Sequence, residues 1–312
     1  MREAAAALVL VGQGLSYTEA SQRSRRRAGR PQVNVSGAQL VANWVEVLGP
    51  VATAPHAEVA WPETIAVDST KFMITNPVTN RSIVGFNALA VWGYPSDEPT
   101  GRLWAIRAVP EAKTSDWTAL FESQPGTPTL MICDLAQAPI SAARLTWGPS
   151  GPHVKYCEWH RGRCAAELLR PYGISHSKSP EMRLLAEAFR SSKGWKAFKE
   201  MATSYTNVDE WVQRHDLRIS DQVAHRRALP QHHSAGAVDT AFRRIRAFME
   251  PRAFCYRNAE HTNRMLELVR THINHADNAD EYAATIRTYL DAGGSLSAQG
   301  TIRDTAGARS LR

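Results

Sequence analysis

The spacing of apolar and polar positions divides the chain into three zones. The first, residues 1–60, is patterned for helices. Residues 3–11 are almost wholly apolar, Gly12-Gln13-Gly14 interrupts them, and a second helix restarts at 15–20. Ser16 followed by Glu19 three residues later is the signature of a capping box. A third helix is predicted over 37–48, with Leu40, Val41, Trp44, Val45 and Leu48 on one stripe and Gly49-Pro50 as its stop. Residues 55–62 read as a linker. In the second zone, 61–170, the period changes to that of strands. Runs at 64–67, 83–94 and 103–109 are separated by loops rich in Asn, Pro, Gly and Asp, as in an antiparallel meander. A helix over 114–123 follows, then a strand at 129–133, a helix at 139–147, a short strand at 153–157 and a helix at 161–169. The third zone has no strand signal from 171 to 246. Helical spacing recurs at 182–189, 195–201, 208–211 and 238–249, and again at 260–273 and 280–290. The end, 293–312, is small, polar and basic, and is expected to be disordered.

This order makes the chain an α/β protein with six segments. They are a helix-turn-helix-like segment (1–31), a helix and linker (32–60), a sheet domain in two parts (61–170 and 247–292), an all-α insertion between those parts (171–246), and the tail. Charge adds a partner class. The 312 residues carry a formal charge of +7 and a pI near 9.4, which favours an anionic partner. Arg23, Arg25, Arg26, Arg27 and Arg30 cluster at the end of the second helix, where they suit DNA phosphates. Gly29-Arg30-Pro31 also matches the core of a minor-groove AT-hook. Four cysteines in this length do not make a secreted disulfide framework. The apolar run at 4–11 is too short to span a bilayer and no small-residue cleavage site follows it, so a cytosolic location is expected.

Three acids draw the zones together. Asp68 follows the first strand run, Asp134 follows the fourth, and Glu260 opens a late amphipathic helix, at separations of 66 and 126 residues. In a ribonuclease-H-like mixed sheet the first and fourth strands are neighbours. Asp68 and Asp134 would then lie side by side, with Glu260 approaching on a packed helix. Carboxylates grouped in this way repel one another unless a cation lies between them. Hard oxygen donors suit Mg²⁺, and a pair of Mg²⁺ ions about 4 Å apart supports phosphodiester chemistry. A helix-start Glu taken alone is an ordinary complement to the helix dipole.

At these residues the chain resembles the Mutator-like transposases, a bacterial insertion-sequence family with DDE catalysis. Asn258-Ala259-Glu260-His261-Thr262-Asn263 is similar to the family's Asn-x-Glu or Asn-x-x-Glu motif, with an Asn three residues after the acid. Cys157-Glu158-Trp159-His160 is similar to its Cys-x-x-His motif, and Ala66-Val67-Asp68-Ser69-Thr70 to its first-aspartate strand. The sequence departs from the family at Leu135, where Gly is usual, and at Tyr256-Arg257, where threonines are usual. The resemblance implies a transposase that cuts transposon ends and joins 3′ hydroxyls to target DNA. Asp68, Asp134 and Glu260 would hold two Mg²⁺ ions, supported by Cys157, His160 and Asn263. It further implies double-stranded DNA as partner, a homo-oligomer on that DNA, and a bacterial, nucleoid-associated location. Two other readings stand beside it, a transposase-derived regulator without catalysis and a ribonuclease-H-like nuclease that only hydrolyses. Cys157, His160 and Cys164 also read as three zinc ligands lacking a fourth, and His232-His233 as loop residues.

Overall fold

The computed structural model describes residues 1–27, 37–75, 79–175, 178–229, 234–250 and 258–294. At its centre is a five-stranded mixed sheet of order β3-β2-β1-β4-β5, formed by β1 (Thr64–Thr75), β2 (Ser82–Tyr94), β3 (Arg102–Val109), β4 (Leu130–Cys133) and β5 (His153–Tyr156). The first three strands pair antiparallel, and β4 and β5 add on in parallel. Connection length accounts for the change of direction. Short loops close hairpins, whereas parallel neighbours need a crossover long enough for a helix, here α5 (Thr114–Phe121) and α6 (Gln137–Trp147). All five expected strands form, but β1 is longer than its apolar run. Asp68 is not at the strand's end; it pairs with Ala90, and the ladder continues to Thr75. The cause lies beyond the acid, where Phe72 resumes the period-two pattern and stacks on Phe86 of β2 with ring centroids 4.7 Å apart.

Alternation along the strands gives the sheet two buried faces. Ile65, Val67, Leu89, Val91 and Met131 face α5 and α6, where Trp117, Phe121 and Ile140 complete a core. Ala66, Ala88, Ala90 and Phe72 face the other way, into a larger core built from the N- and C-terminal helices. There α1 (Arg2–Gly12) is buried from Ala4 to Gly12 and packs on α12 (Ala259–Ile273) and α13 (Ala279–Asp291). Gly12 permits the close approach, since a Cβ at that position would lie 2.7 Å from the Leu268 carbonyl oxygen. α2 (Tyr17–Arg27), α3 (Gly37–Val47) and α4 (Gly49–Thr53) follow. The Ser16–Glu19 capping box is present, with the Ser16 hydroxyl donating to the Glu19 carboxylate at 2.9 Å and accepting the Glu19 N–H at 3.3 Å. The first two helices therefore form as expected, with the first sunk into the main core.

The helical zone comprises α7 (Glu158–Leu169), α8 (Pro180–Ala188), α9 (Ser192–Ala202) and α10 (Thr206–Ala224). It has its own core around Leu169, Trp195, Phe198 and Trp211. No described residue between 171 and 246 is in a strand. The four-residue signal at 208–211 grew into the 19-residue α10 because Ile219 and Val223 continue its buried stripe. α11 (Gly236–Met249) was expected to close the insertion. Instead it crosses β1 and β2, and its Val238, Phe242 and Ile245 join the main core.

Both edges of the sheet are met by side-chain carboxamides. On β3, Asn263 accepts the Ala108 N–H at 2.6 Å and donates to its carbonyl at 3.4 Å, and Asn274 does the same to Leu103 at 3.0 and 2.9 Å. On β5, Gln222 of α10 accepts the Tyr156 N–H at 2.7 Å and donates to its carbonyl at 2.9 Å. Each amide offers one donor and one acceptor, as a paired strand residue would. Gln222 is buried and also accepts from Arg161 at 2.8 Å. Gln222→Leu should therefore strand two buried donors and one acceptor and lower unfolding stability by about 3 kcal/mol. Urea denaturation measures this against Gln213→Leu, an exposed position on the same helix where the change should stay within about 0.5 kcal/mol.

Candidate active site

The site begins with a backbone register. Thr64, Ile65 and Ala66 of β1 pair with Leu130, Met131 and Ile132 of β4. Two residues further on, Asp68 and Asp134 come level at adjoining strands. β4 stops at Cys133, so Asp134 occupies the first loop position, where its Oδ1 accepts the Ala136 N–H at 2.8 Å. Asp68 Oδ1 accepts its neighbour's N–H, that of Ser69, at 2.7 Å. Beside them, the Cys157 N–H extends the β4–β5 ladder to the Cys133 carbonyl at 2.8 Å, and α7 starts at the next residue. That start places Trp159 and His160 next to the acids. α11 then returns across β1 with Asp239 in its first turn.

Asp68, His160 and Asp239 converge. One ligand atom from each lies within 4.8 Å of the others, and His160 Nε2 is 3.4 Å from Asp239 Oδ2. Burial pushes the Asp68 carboxyl up to about 7, and the charge of Asp134 adds to the effect; the Ser69 N–H and His160 oppose it, and Asp239 raises it further. His160 is raised by its contact with the Cys157 thiol against the effect of burial, with Asp68 and Asp239 contributing. Burial pushes the Cys157 thiol up, but hydrogen bonds from the His160 ring and from the backbone at His160 and Ala235 outweigh it and leave the thiol lowered. The group opens into a cleft of about 790 Å³ that also carries Arg163, Arg243 and Arg246. Arg246 donates to the Thr70 hydroxyl and, at 3.1 Å, to the Lys71 carbonyl, so it is fixed to the strand that bears Asp68. The result is a carboxylate group inside a basic rim.

Asp68, Asp134, Cys157 and His160 are thus gathered at one place. Glu260 is not in this group. Its side chain is 60% exposed and pairs with Arg264 one turn along α12. Arg264 in turn pairs with Glu46 of α3, which also holds His261, and the other ring nitrogen of His261 lies 2.6 Å from the Tyr17 hydroxyl. The Glu260 stretch therefore ties α2 and α3 to α12. Asn263 binds the sheet edge and not the acids. Arg23 and Arg26 are exposed, while Arg25 pairs with Glu3 at 3.4 Å. The Arg27 side chain, Arg30, Arg257, His232 and His233 lie outside the described residues, as does the tail beyond 294. Cys164 is exposed, and among the described residues no metal-capable group contains a cysteine. Asp239 is the residue that sequence reasoning missed. Its local signal is an acid in the first turn of an amphipathic helix, directly after Val238 and three residues before Phe242. No protein-family model matches the chain, and no curated protein shows significant similarity to it.

The donor set suits a divalent cation, because Asp68 gains little from ionising among other carboxylates unless a cation offsets them. A carboxyl at about 7 in the fold and 3.8 when unfolded holds its proton in the native state alone between those values. Its contribution to stability therefore declines as pH rises through that window and stays low above it. In EDTA, Asp68→Asn should melt above wild type at about pH 8 and converge with it toward about pH 4. Added Mg²⁺ or Mn²⁺ should raise the wild-type melting temperature and leave the variant unmoved. Calorimetric melts across pH test this, and equal pH profiles for the two proteins would refute the repulsion.

Proposed function

We propose that this protein is a DNA transposase of the ribonuclease-H-like class, cutting and joining phosphodiesters at Asp68, Asp134 and Asp239. The observation that carries the reading is the meeting of acids from β1 and α11 with His160 at a basic cleft, with Asp134 at the end of β4 close enough to Asp68 to act on its charge. The sheet order supports it, as does a helical insertion placed between the fifth strand and the helix that brings the third acid. Asp239 takes the role first expected of Glu260.

Asp68 has Asp134 beside it in the sheet and Asp239 opposite. Together they offer the hard oxygen donors that two Mg²⁺ ions require. Such ions, when bound, favour deprotonation of the attacking water or 3′ hydroxyl and offset charge on the leaving oxygen. The chain's own residues do the rest. His160, with Nε2 3.4 Å from Asp239 Oδ2, orients the Asp239 carboxylate. Arg163 and Arg243 on the cleft wall hold phosphates on either side of the reacting one, which gives positional but not sequence selectivity. Double-stranded DNA, a homo-oligomer assembled on it and a bacterial cytoplasmic setting belong to the same reading. Among the described residues no helix is long and apolar enough to cross a membrane.

Asp239→Asn should abolish divalent-dependent nicking and strand transfer, by roughly 10³-fold if several kcal/mol of charge stabilisation is lost. Glu260→Gln should remain within about twofold of wild type, because Glu260 is exposed and pairs with Arg264 away from the acids. Cleavage of DNA taken from either side of the gene, followed by joining to a plasmid, measures both. An active Asp239→Asn with a dead Glu260→Gln would return Glu260 to the site. Arg243→Ala should lower the slope of log affinity against log salt by about 0.9, the value for one phosphate contact; an unchanged slope in filter binding would remove Arg243 from the DNA path.

A further inference from the structure

The same cleft holds an aromatic side chain that the cutting chemistry does not require. Nine tryptophans occur in the chain, and Trp159 alone is exposed, at 54%. The others are buried or half-buried, and five of them donate their indole N–H to a protein acceptor. Trp159 is the second residue of α7 and lines the cleft with Asp68, Ser69 and Asp239. The indole is also braced. The His160 ring meets it edge to face, with centroids 4.8 Å apart and planes at 80°. The Arg163 guanidinium lies 5.6 Å from its centroid and is itself held by Glu167 at 2.9 Å.

A braced, exposed aromatic surface in a cleft that also carries three arginines calls for a flat apolar ligand group, and the arginines around it call for phosphates on either side of that group. A nucleotide within a strand has both. Paired bases in a duplex cover one another's faces and present only their edges in the grooves, so an indole stacks on a base only after the base has left the helix. Resting on the DNA-processing reading above, we propose that Trp159 is the stacking platform for an unpaired nucleobase next to the phosphodiester held at Asp68 and Asp239. The site then takes a strand that is locally open. Stacking of this kind tolerates any base, so Trp159 contributes to strand state and positioning and not to sequence choice.

The test uses the full chain with Ca²⁺ in place of Mg²⁺ to suppress cleavage. Fluorescence anisotropy compares three labelled probes of equal length, namely a thymidine oligonucleotide, a duplex, and a duplex with one unpaired thymidine. Wild type should bind the single strand and the interrupted duplex more tightly than the full duplex. Trp159→Ala should weaken binding to the first two by about ten- to a hundredfold and leave the full duplex unchanged. Trp159→Phe should recover most of the loss. A 2-aminopurine at the unpaired position should be quenched by wild type and by the Phe variant, and not by the Ala variant. The side chain is half exposed, so both variants should keep the wild-type melting temperature. Equal binding of all probes by wild type and Trp159→Ala, or an equal loss on duplex and single strand, overturns the stacking proposal. If Arg243→Ala weakens binding while Trp159→Ala does not, the DNA reading survives and the platform falls. If wild type binds none of the three probes, both fall.

Discussion

The parallel ladder between β1 and β4 spans only three residue pairs, yet the arrangement of the acids depends on it. Side chains alternate between the faces of a strand, so a slip of one residue would turn Asp68 away from the face that α11 covers. The correct register places Asp68 on the same face as Ala66 and Phe72, directly beneath α11. It also buries Asp68 and sets it beside Asp134; burial first, and the charge of Asp134 after it, raise the Asp68 carboxyl. The packing on both sides of the ladder holds it there. Ile65, Val67 and Met131 are fully buried on one face and Ala66 and Ile132 on the other, and a slip would drive each set into the core fitted to the other.

A short ladder near a sheet edge also needs that edge to be finished. Gln222 does this on β5, and its second role explains the position of the insertion. By accepting from Arg161 as well as from Tyr156 it joins α10, α7 and the last strand at one point. Arg161 is buried there with its guanidinium 4.5 Å from the Tyr156 ring, and burial lowers its pKa to about 10. The end of α10 is thereby fixed relative to the sheet, and the chain leaving it is directed back toward β1, where α11 carries Asp239. The insertion separates the strands from the third acid in sequence while Gln222 keeps them in one frame.

Much of this was legible locally. The five strands, the capping box at Ser16 and Glu19, and the placement of Asp68 and Asp134 after apolar runs are short-range patterns, although the continuation of β1 past Asp68 was not read from them. The choice between Asp239 and Glu260 was not. Both are acids in the first turn of an amphipathic helix, and what separates them is which helix crosses β1, a tertiary fact. Charge spacing does not separate them either, since each has an arginine four residues on, Arg264 after Glu260 and Arg243 after Asp239. The edge clamps were half legible. Asn263 and Asn274 are three helical turns apart and so share a face, but nothing near them in sequence names β3 as the partner.

The acids and the arginines of the cleft are best understood together. The chain as a whole is positive, at +7, and on the DNA reading proposed above that field is what draws an anionic strand toward it from a distance. At close range the sign reverses, since a phosphate reaching Asp68 meets Asp134 and Asp239 as well. Arg243 and Arg246 lie on the cleft wall, and Arg246 is already committed to Thr70 and Lys71. On that reading, long-range attraction delivers a phosphodiester to a place that rejects it unless the carboxylates are neutralised. A proton at Asp68 does this in part near neutral pH, and a divalent cation does it more fully while presenting positive charge to the substrate. Proton and cation compete for the same carboxylate, so a rise in pH through about 7 favours the cation. On the reading proposed here, the repulsion that destabilises the empty site is what couples metal binding to the arrival of a phosphodiester.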